Sequence, residues 1–478
     1  MKKLKSNLVC NIALFVIATL FITLFAKGSS PLYKYTYGYD NSIFMYVGKA
    51  MKNGYIPYRD LYEIKGPILF LIQYLGQSLK EGKWGIFIIE IINFNIIVFL
   101  SFYIARLYVG RIKALLIVLI SLIFWRYSYE TFPTGNIVEA WSTMFSFVAV
   151  YIILAIKDKR LIHYIIIGML AMCSALIRLT DCVIVGACII YSFICMIKAR
   201  DVKCLVKSIL AILAGCLIIL IPIVIYYAAH NALRDMVDAI ILFSIKYSTF
   251  NKRVFEKRKL SYLIFAVAAA LFSVFYKKDK DRGPLLLLMS LMCIAVFWIM
   301  GTVYEHYMAL GIPCVILSLC IVMQIKSKWH ILNAVILMMF IGFNYKYVIG
   351  AYACIKSDIA VLNDMSDEKP AEVLLSDKIK ELIPQEDRCS VYTYNCYTVI
   401  PFLADTYSGS KYFVSQPQWS ENKEMEDKIY NDFVRANDKY AVIKVNTARK
   451  LDDRIMNIIY NDYTELYSLD PYVLYMKK

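Results

Sequence analysis

Apolar positions along this chain do not recur with the period of a soluble helix or strand. They come in long runs separated by short polar stretches. Runs at 8–26, 85–105, 114–125, 137–156, 161–177, 182–197, 205–229, 260–276, 284–300, 308–325 and 329–350 are mostly long enough to cross the hydrocarbon of a bilayer as helices. They predict about eleven transmembrane helices. The run 67–79 is too short to span and suits an interfacial helix with Pro67 in its first turn. The first run follows a basic start, MKKLKSN, and is longer than the apolar core of a signal peptide, so it reads as an uncleaved first span.

Beyond residue 354 the pattern changes. Short β-branched and aromatic stretches, Val391–Tyr394, Tyr412–Ser415 and Tyr440–Val445, are separated by helical patterns at 371–383 and 421–436. The fold class predicted is a polytopic α-helical membrane protein, residues 1–354, with a small soluble α/β domain at 355–478. The membrane part includes a first outer loop at 27–84, whose residues 36–70 are its longest informative stretch.

Composition agrees. Of 478 residues 60% are hydrophobic and 19% charged, where soluble domains carry about half and a quarter. Charge then orients the chain. Residues 1–354 hold 37 basic and 16 acidic side chains, residues 355–478 hold 16 and 21. With the N-terminus inside, every second loop carries a basic cluster: Arg106/Arg111/Lys113, Lys157/Lys159/Arg160, Lys198/Arg200/Lys203/Lys207, Lys277/Lys278/Lys280/Arg282 and Lys326/Lys328. Eleven of the 16 acids then face outward, and an odd number of helices sends the tail outside as well. The net charge of +16 is what cytoplasmic loops carry and gives no case for nucleic-acid binding.

The sequence has no G-x-G-x-x-G after a strand, no phosphate-binding G-x-x-x-x-G-K-[ST] and no Cys/His spacing of a zinc site. Nucleotide-driven pumping is therefore unsupported. Most of the 13 cysteines lie in apolar runs; Cys389 and Cys396 of the tail leave a disulfide open.

The ionisable residues gather at the outer ends of the spans. In the first outer loop, Asp40 precedes a helical segment at Ser42–Lys52, and Glu63 and Lys65 precede Pro67. Glu139 opens a span, where an unpaired charge near hydrocarbon is costly. Arg178 ends another, and Tyr304, Glu305 and His306 begin a third. A structural reading exists for each: Asp40 as a helix cap, Lys65 snorkelling to headgroups, His306 as an interfacial histidine, Glu90 as an interhelical hydrogen-bonding group. The outer loop at 243–260, with Arg258 among its five clustered cations, runs against the charge rule and equally suits anionic headgroups.

Several segments together resemble the GT-C superfamily of membrane glycosyltransferases, of the bacterial protein O-mannosyltransferase and aminoarabinose transferase type. They are Y-D-x-S-x-F from Tyr39 to Phe44, G-x-x-x-x-x-G-x-x-P-Y-x-D-L-Y-x-x-K-G-P from Gly48 to Pro67, Gly135–Glu139, Leu176-Ile177-Arg178, and Tyr304–Tyr307 followed by Ile312-Pro313. The resemblance implies a multi-pass enzyme of a bacterial cytoplasmic membrane. It takes a hexose or pentose from polyprenyl phosphate at the outer face and passes it, with inversion, to a glycan, lipid or protein acceptor in envelope glycan or glycolipid synthesis.

On that reading Asp40 is the base and Glu139 a second carboxylate. Lys65, Arg178, Arg258 and His306 face the donor phosphate, and Glu63, Tyr304 and Glu305 face substrate. Many relatives have two adjacent acids where this chain has Asp40-Asn41, so a divalent metal at Asp40 stays open and no other cofactor is implied. Two other classes compete with this one: a lipid-linked saccharide flippase, which would favour internal repeats and charges at mid-span, and a non-catalytic envelope assembly protein.

Overall fold

The computed structural model describes residues 2–129, 135–243, 260–275, 282–300, 304–324, 338–342, 344–363, 368–414, 423–445 and 451–478. The chain divides into two compact units. One comprises 1–26, 87–225 and 247–364, the other 27–86, 226–246 and 365–478.

Seven helices among the described residues are long and apolar enough to cross a membrane: Leu8–Phe25, Lys83–Arg106, Val138–Ala155, Leu179–Lys198, Val202–Ala229, Arg282–Met300 and Glu305–Met323. Pro67–Leu79, Leu161–Ala175 and Ser261–Phe275 are shorter apolar helices, and the expected short run at 114–125 lies within a helix at Arg111–Ser128. The protein is thus the polytopic helical membrane protein expected. Of the run 329–350 only 338–342 and 344–350 are described.

The first unit is held by close helix packing and rings. Phe21 stacks on Phe94 at 5.0 Å, and Phe94 meets Trp125 edge-on at 5.3 Å. A Cβ on Gly168 would fall 2.1 Å from the Ile212 carbonyl oxygen, and one on Gly215 would fall 2.0 Å from that of Ile165. These two glycines let the helices Leu161–Ala175 and Val202–Ala229 touch along their backbones, the small-residue contact that membrane helices favour.

The domain boundary expected at 354 falls inside one helix, Tyr345–Asn363. The sequence reads its Lys356 and Asp358 as the start of a soluble tail, yet Asp358 is buried and pairs with buried Arg126 at 2.5 Å. The paired charge lets the helix run on inside the first unit. The division also groups the first outer loop with the tail rather than with the spans.

In the second unit, the tail forms a four-stranded sheet of β1 (Val391–Tyr394), β2 (Tyr440–Lys444), β3 (Tyr463–Leu469) and β4 (Tyr472–Lys477), in the order β1-β2-β4-β3. β1 runs parallel to β2, and β4 is antiparallel to β2 and β3. Side chains alternate across it. Tyr440 and Val442 pack with Leu375 and Ile379 of the helix Ala371–Leu382, and Ala441 and Ile443 pack with Phe433, Ile455 and Ile459 of the helices Lys423–Ala436 and Asp453–Asp462. The expected strand at Tyr412–Ser415 does not form among its described residues; Tyr412 instead turns its N–H to the Ser410 hydroxyl.

The outer loop belongs to the same unit through its helix Tyr39–Lys52. Gly48 lies so close to the Gln73 backbone that a Cβ would be 2.6 Å away, which seats this helix on Pro67–Leu79. On the tail side Tyr46 donates to the Thr406 carbonyl at 2.9 Å, Lys49 pairs with Asp405 at 3.0 Å, and Tyr407 stacks on both Tyr46 and Tyr55.

Candidate functional site

The candidate residues fall in two clusters, one in each unit. The outer-loop cluster begins at the helix Tyr39–Lys52. Gly38, with extended backbone, is its N-cap, and no side chain caps it. Asp40 is therefore in the first turn and not at the cap position. Its carboxylate is exposed and takes no hydrogen bond or ion pair from any described residue. A helix N-terminus stabilises that negative charge without blocking its oxygens.

Glu63 is the reverse, a carboxylate 1% exposed. One oxygen accepts the N–H groups of Ile64 at 2.8 Å and Lys65 at 3.3 Å, while Oε2 meets no partner among the described residues. Burial pushes its pKa above the usual range; Lys65, 3.9 Å away, works against the shift, and the charge of Asp40 adds to it. The Lys65 side chain is 18% exposed, and its carbonyl accepts the buried Tyr58 hydroxyl at 2.7 Å.

Lys83 escaped the sequence reading because it stands at the first position of an apolar helix, where a lysine looks like an interfacial anchor. It is 6% exposed. Its ammonium donates to the carbonyls of Lys27 at 3.3 Å, Tyr33 at 2.5 Å and Thr36, and lies over the Tyr37 ring at 4.5 Å. One cation therefore ties down the segment leading to Asp40.

The second cluster lies in the first unit. Arg178 Nη2 is shared between Glu139 Oε1 at 2.7 Å and Asp181 Oδ1 at 2.6 Å, with both carboxylates buried. The Ser142 hydroxyl donates to the other Asp181 oxygen at 2.8 Å, and the guanidinium rests on the Tyr307 ring at 4.5 Å. His306 Nε2 stands 3.9 Å from Glu139 and its ring stacks on Tyr304. Glu305 is half-buried in the same turn. Asp181, not among the sequence candidates, completes the cluster; its spacing to Arg178 shows only on a 3₁₀ turn, Leu179–Cys182.

Glu90 supports the start of the helix Val138–Ala155. It accepts the Asn136 N–H at 2.7 Å and the Tyr129 hydroxyl at 3.2 Å, and Asn136 takes a left-handed conformation at φ 58°. Arg258 and the cations around it lie outside the described residues.

Among the described residues no three or more His, Cys, Asp or Glu come together as a metal site. Asp40 and Glu63 offer two carboxylates and no third protein ligand of those types. Cys389 is exposed and Cys396 buried, and neither is in a disulfide.

Comparison with solved structures shows which fold these clusters stand on. ArnT from Cupriavidus metallidurans in the apo state superposes with a TM-score of 0.61 over 99% of this chain and 98% of its own, at 12% identity. The same protein bound to undecaprenyl phosphate gives 0.60 over 98% of each chain, also at 12%. No protein-family model and no curated protein matches the sequence. The likeness runs from the first span through the tail, so the whole chain has the fold of ArnT.

Proposed function

We propose that this protein is a glycosyltransferase that takes a sugar from a polyprenyl phosphate at the outer face of a bacterial cytoplasmic membrane and passes it to an acceptor of the cell envelope. The observation that carries the reading is the Asp40 carboxylate, exposed and uncommitted in the outer loop that also holds buried Glu63 and Lys65, on a fold shared with a protein that binds undecaprenyl phosphate. A structural acid would spend its oxygens on the protein, as Asp60 does by accepting the Ile56 N–H at 2.7 Å.

In the proposed reaction an acceptor hydroxyl oxygen attacks the anomeric carbon. Its proton passes to Asp40, the bond from the anomeric carbon to the phosphate oxygen breaks with inversion, and polyprenyl phosphate leaves. A phosphate leaving group needs little protonation but needs cations. Lys65 supplies one, and Glu63 holds the Lys65 backbone in place. His306, Tyr304 and Glu305 stay assigned to substrate. Arg178 enters with a different role from the one its sequence suggests: its guanidinium is already shared by two carboxylates, so it organises a buried ionic cluster and is not free to compensate a phosphate. Asp40, as an exposed carboxylate, would be the residue to hold a magnesium- or manganese-type ion, which would supply positive charge at the leaving group.

Replacing Lys65 by Ala is expected to raise the KM for a polyprenyl-phosphate sugar about thirtyfold, from roughly 2 kcal/mol of lost charge pairing. Replacing exposed Lys198 should leave it unchanged, and equal small losses at both would mean only general attraction to anionic lipid, about 1 kcal/mol per charge.

Outward placement of the tail gives a second expected result. Exposed, unpaired Cys389 should react with a membrane-impermeant maleimide in intact spheroplasts, and a Cys389→Ser variant should lose that signal. Labelling only after permeabilisation would put the tail inside.

A further inference from the structure

Against Tyr39, the residue before Asp40, the second unit presents an exposed aromatic ring. Tyr397 is 41% exposed, yet it is held on both sides. Asn395 before it takes a left-handed conformation at φ 57°, and the buried Cys396 thiol donates to the Tyr394 and Val442 carbonyls, both at 3.3 Å. The helix Val399–Ala404 begins two residues later.

The Tyr397 ring meets Tyr39, the chain neighbour of Asp40, edge-on at 5.9 Å and 80°. Lys444, at the end of β2, places its ammonium 4.7 Å from the Tyr397 ring and 5.7 Å from the Tyr472 ring. Tyr472 in turn donates to Glu372 at 2.6 Å. Single exposed tyrosines are ordinary. A tyrosine immobilised on a turn, backed by a cation and by the ring of the residue that precedes an uncommitted carboxylate, is a different object.

We propose that Tyr397, with Tyr39 and Lys444, forms a subsite for a pyranose ring of a saccharide acceptor. The C–H groups on one face of a pyranose make a flat apolar patch that fits an aromatic ring, while its hydroxyls need polar neighbours; Tyr397 offers the first, and Lys444 and Glu372 the second. A ring already fixed in place costs little ordering entropy on binding. The lipid-linked donor is held through its phosphate, whereas an acceptor arriving from water needs an exposed docking surface, and the tail supplies this one. The inference rests on the glycosyltransferase reading, since it makes the occupant the nucleophile that Asp40 deprotonates.

The test uses the full-length protein in detergent and saturation-transfer NMR with three probes: methyl β-D-glucopyranoside, methyl N-acetyl-β-D-glucosaminide and methyl α-D-mannopyranoside. At least one should receive saturation at its ring C–H protons. Tyr397→Ala should weaken that binding at least tenfold, Tyr397→Phe should preserve it, and Lys444→Ala should weaken it less than Tyr397→Ala. Saturation of none of the probes, or equal binding by wild type and Tyr397→Ala, overturns the subsite. A separate arm follows cleavage of a polyprenyl-phosphate sugar by the wild-type protein. Failure there counts against the glycosyltransferase reading, and failure of the NMR arm alone counts against the saccharide subsite.

Discussion

Asp40→Asn is expected to abolish sugar transfer, by about a thousandfold, within the range that a positioned general base contributes. The protein should remain folded and inserted. The change keeps the side chain's shape, and Asp40 makes no hydrogen bond or ion pair to a described residue that the amide would break. Its removal also lifts one of the charges that raise the Glu63 pKa, so stability should hold or improve. Loss of activity with an unchanged melting temperature in detergent is therefore the expected pair of results. Near-normal turnover with a defined donor would remove Asp40 from the mechanism. A fall in stability would mean that the carboxylate is structural after all, a role for which the ungated Gly38 cap gives no support.

Arg178→Ala is expected to fail at folding before it fails at chemistry. The substitution leaves Glu139 and Asp181, 1% and 0% exposed, without the guanidinium both share. Breaking a buried ion pair by removing one partner costs about 3–5 kcal/mol, a large part of a typical stability of roughly 5–15 kcal/mol. The variant should be recovered poorly and melt far below wild type. Arg178→Lys should rescue it only in part, because one ammonium cannot reproduce the planar fork that also rests on Tyr307. A triple change, Glu139→Gln with Asp181→Asn and Arg178→Met, should recover folding better than Arg178→Ala alone, since no charge is then left unpaired. If Arg178→Ala melts like wild type and only weakens donor use, Arg178 is a phosphate ligand, as its sequence position alone suggests.

Much of this architecture could be read before the structure. Long apolar runs dictate spans because an unsatisfied backbone in lipid is too costly for anything but a helix, and the runs at 137–156, 161–177 and 284–300 became helices within two residues of their expected ends. The strands β1 and β2 were legible from their β-branched and aromatic residues. The hairpin β3–β4 was missed: β3, YTELYSL, mixes polar residues through the strand and is mostly solvent-exposed, so it lacks the signal of a buried strand. The limit expected at 354 falls within the helix Tyr345–Asn363, because Asp358 reads as polar in sequence while its pairing with the distant Arg126 shows only in the fold.

At the site, sequence could name Asp40, Glu63, Lys65, Glu139, Arg178 and His306 as ionisable groups at the outer ends of spans. It could not say which carboxylates were free. That depends on contacts between segments far apart in the chain, such as Arg178 with Glu139 across 39 positions. Lys83 was invisible for the same reason, since only the fold shows a lysine enclosed by distant carbonyls, and Asp181 because its place three residues after Arg178 brings it back onto that guanidinium only on a 3₁₀ turn.

The most direct measurement is to incubate the purified protein, reconstituted in liposomes, with a polyprenyl-phosphate sugar labelled in the sugar, together with an envelope glycan fraction as acceptor. The lipid and glycan products are then analysed by mass spectrometry. The account predicts that the bond between sugar and phosphate is cleaved, that free polyprenyl phosphate and labelled glycan appear together, and that Asp40→Asn yields neither. Movement of the intact lipid-linked sugar across the bilayer with that bond preserved would contradict it and make the protein a transporter.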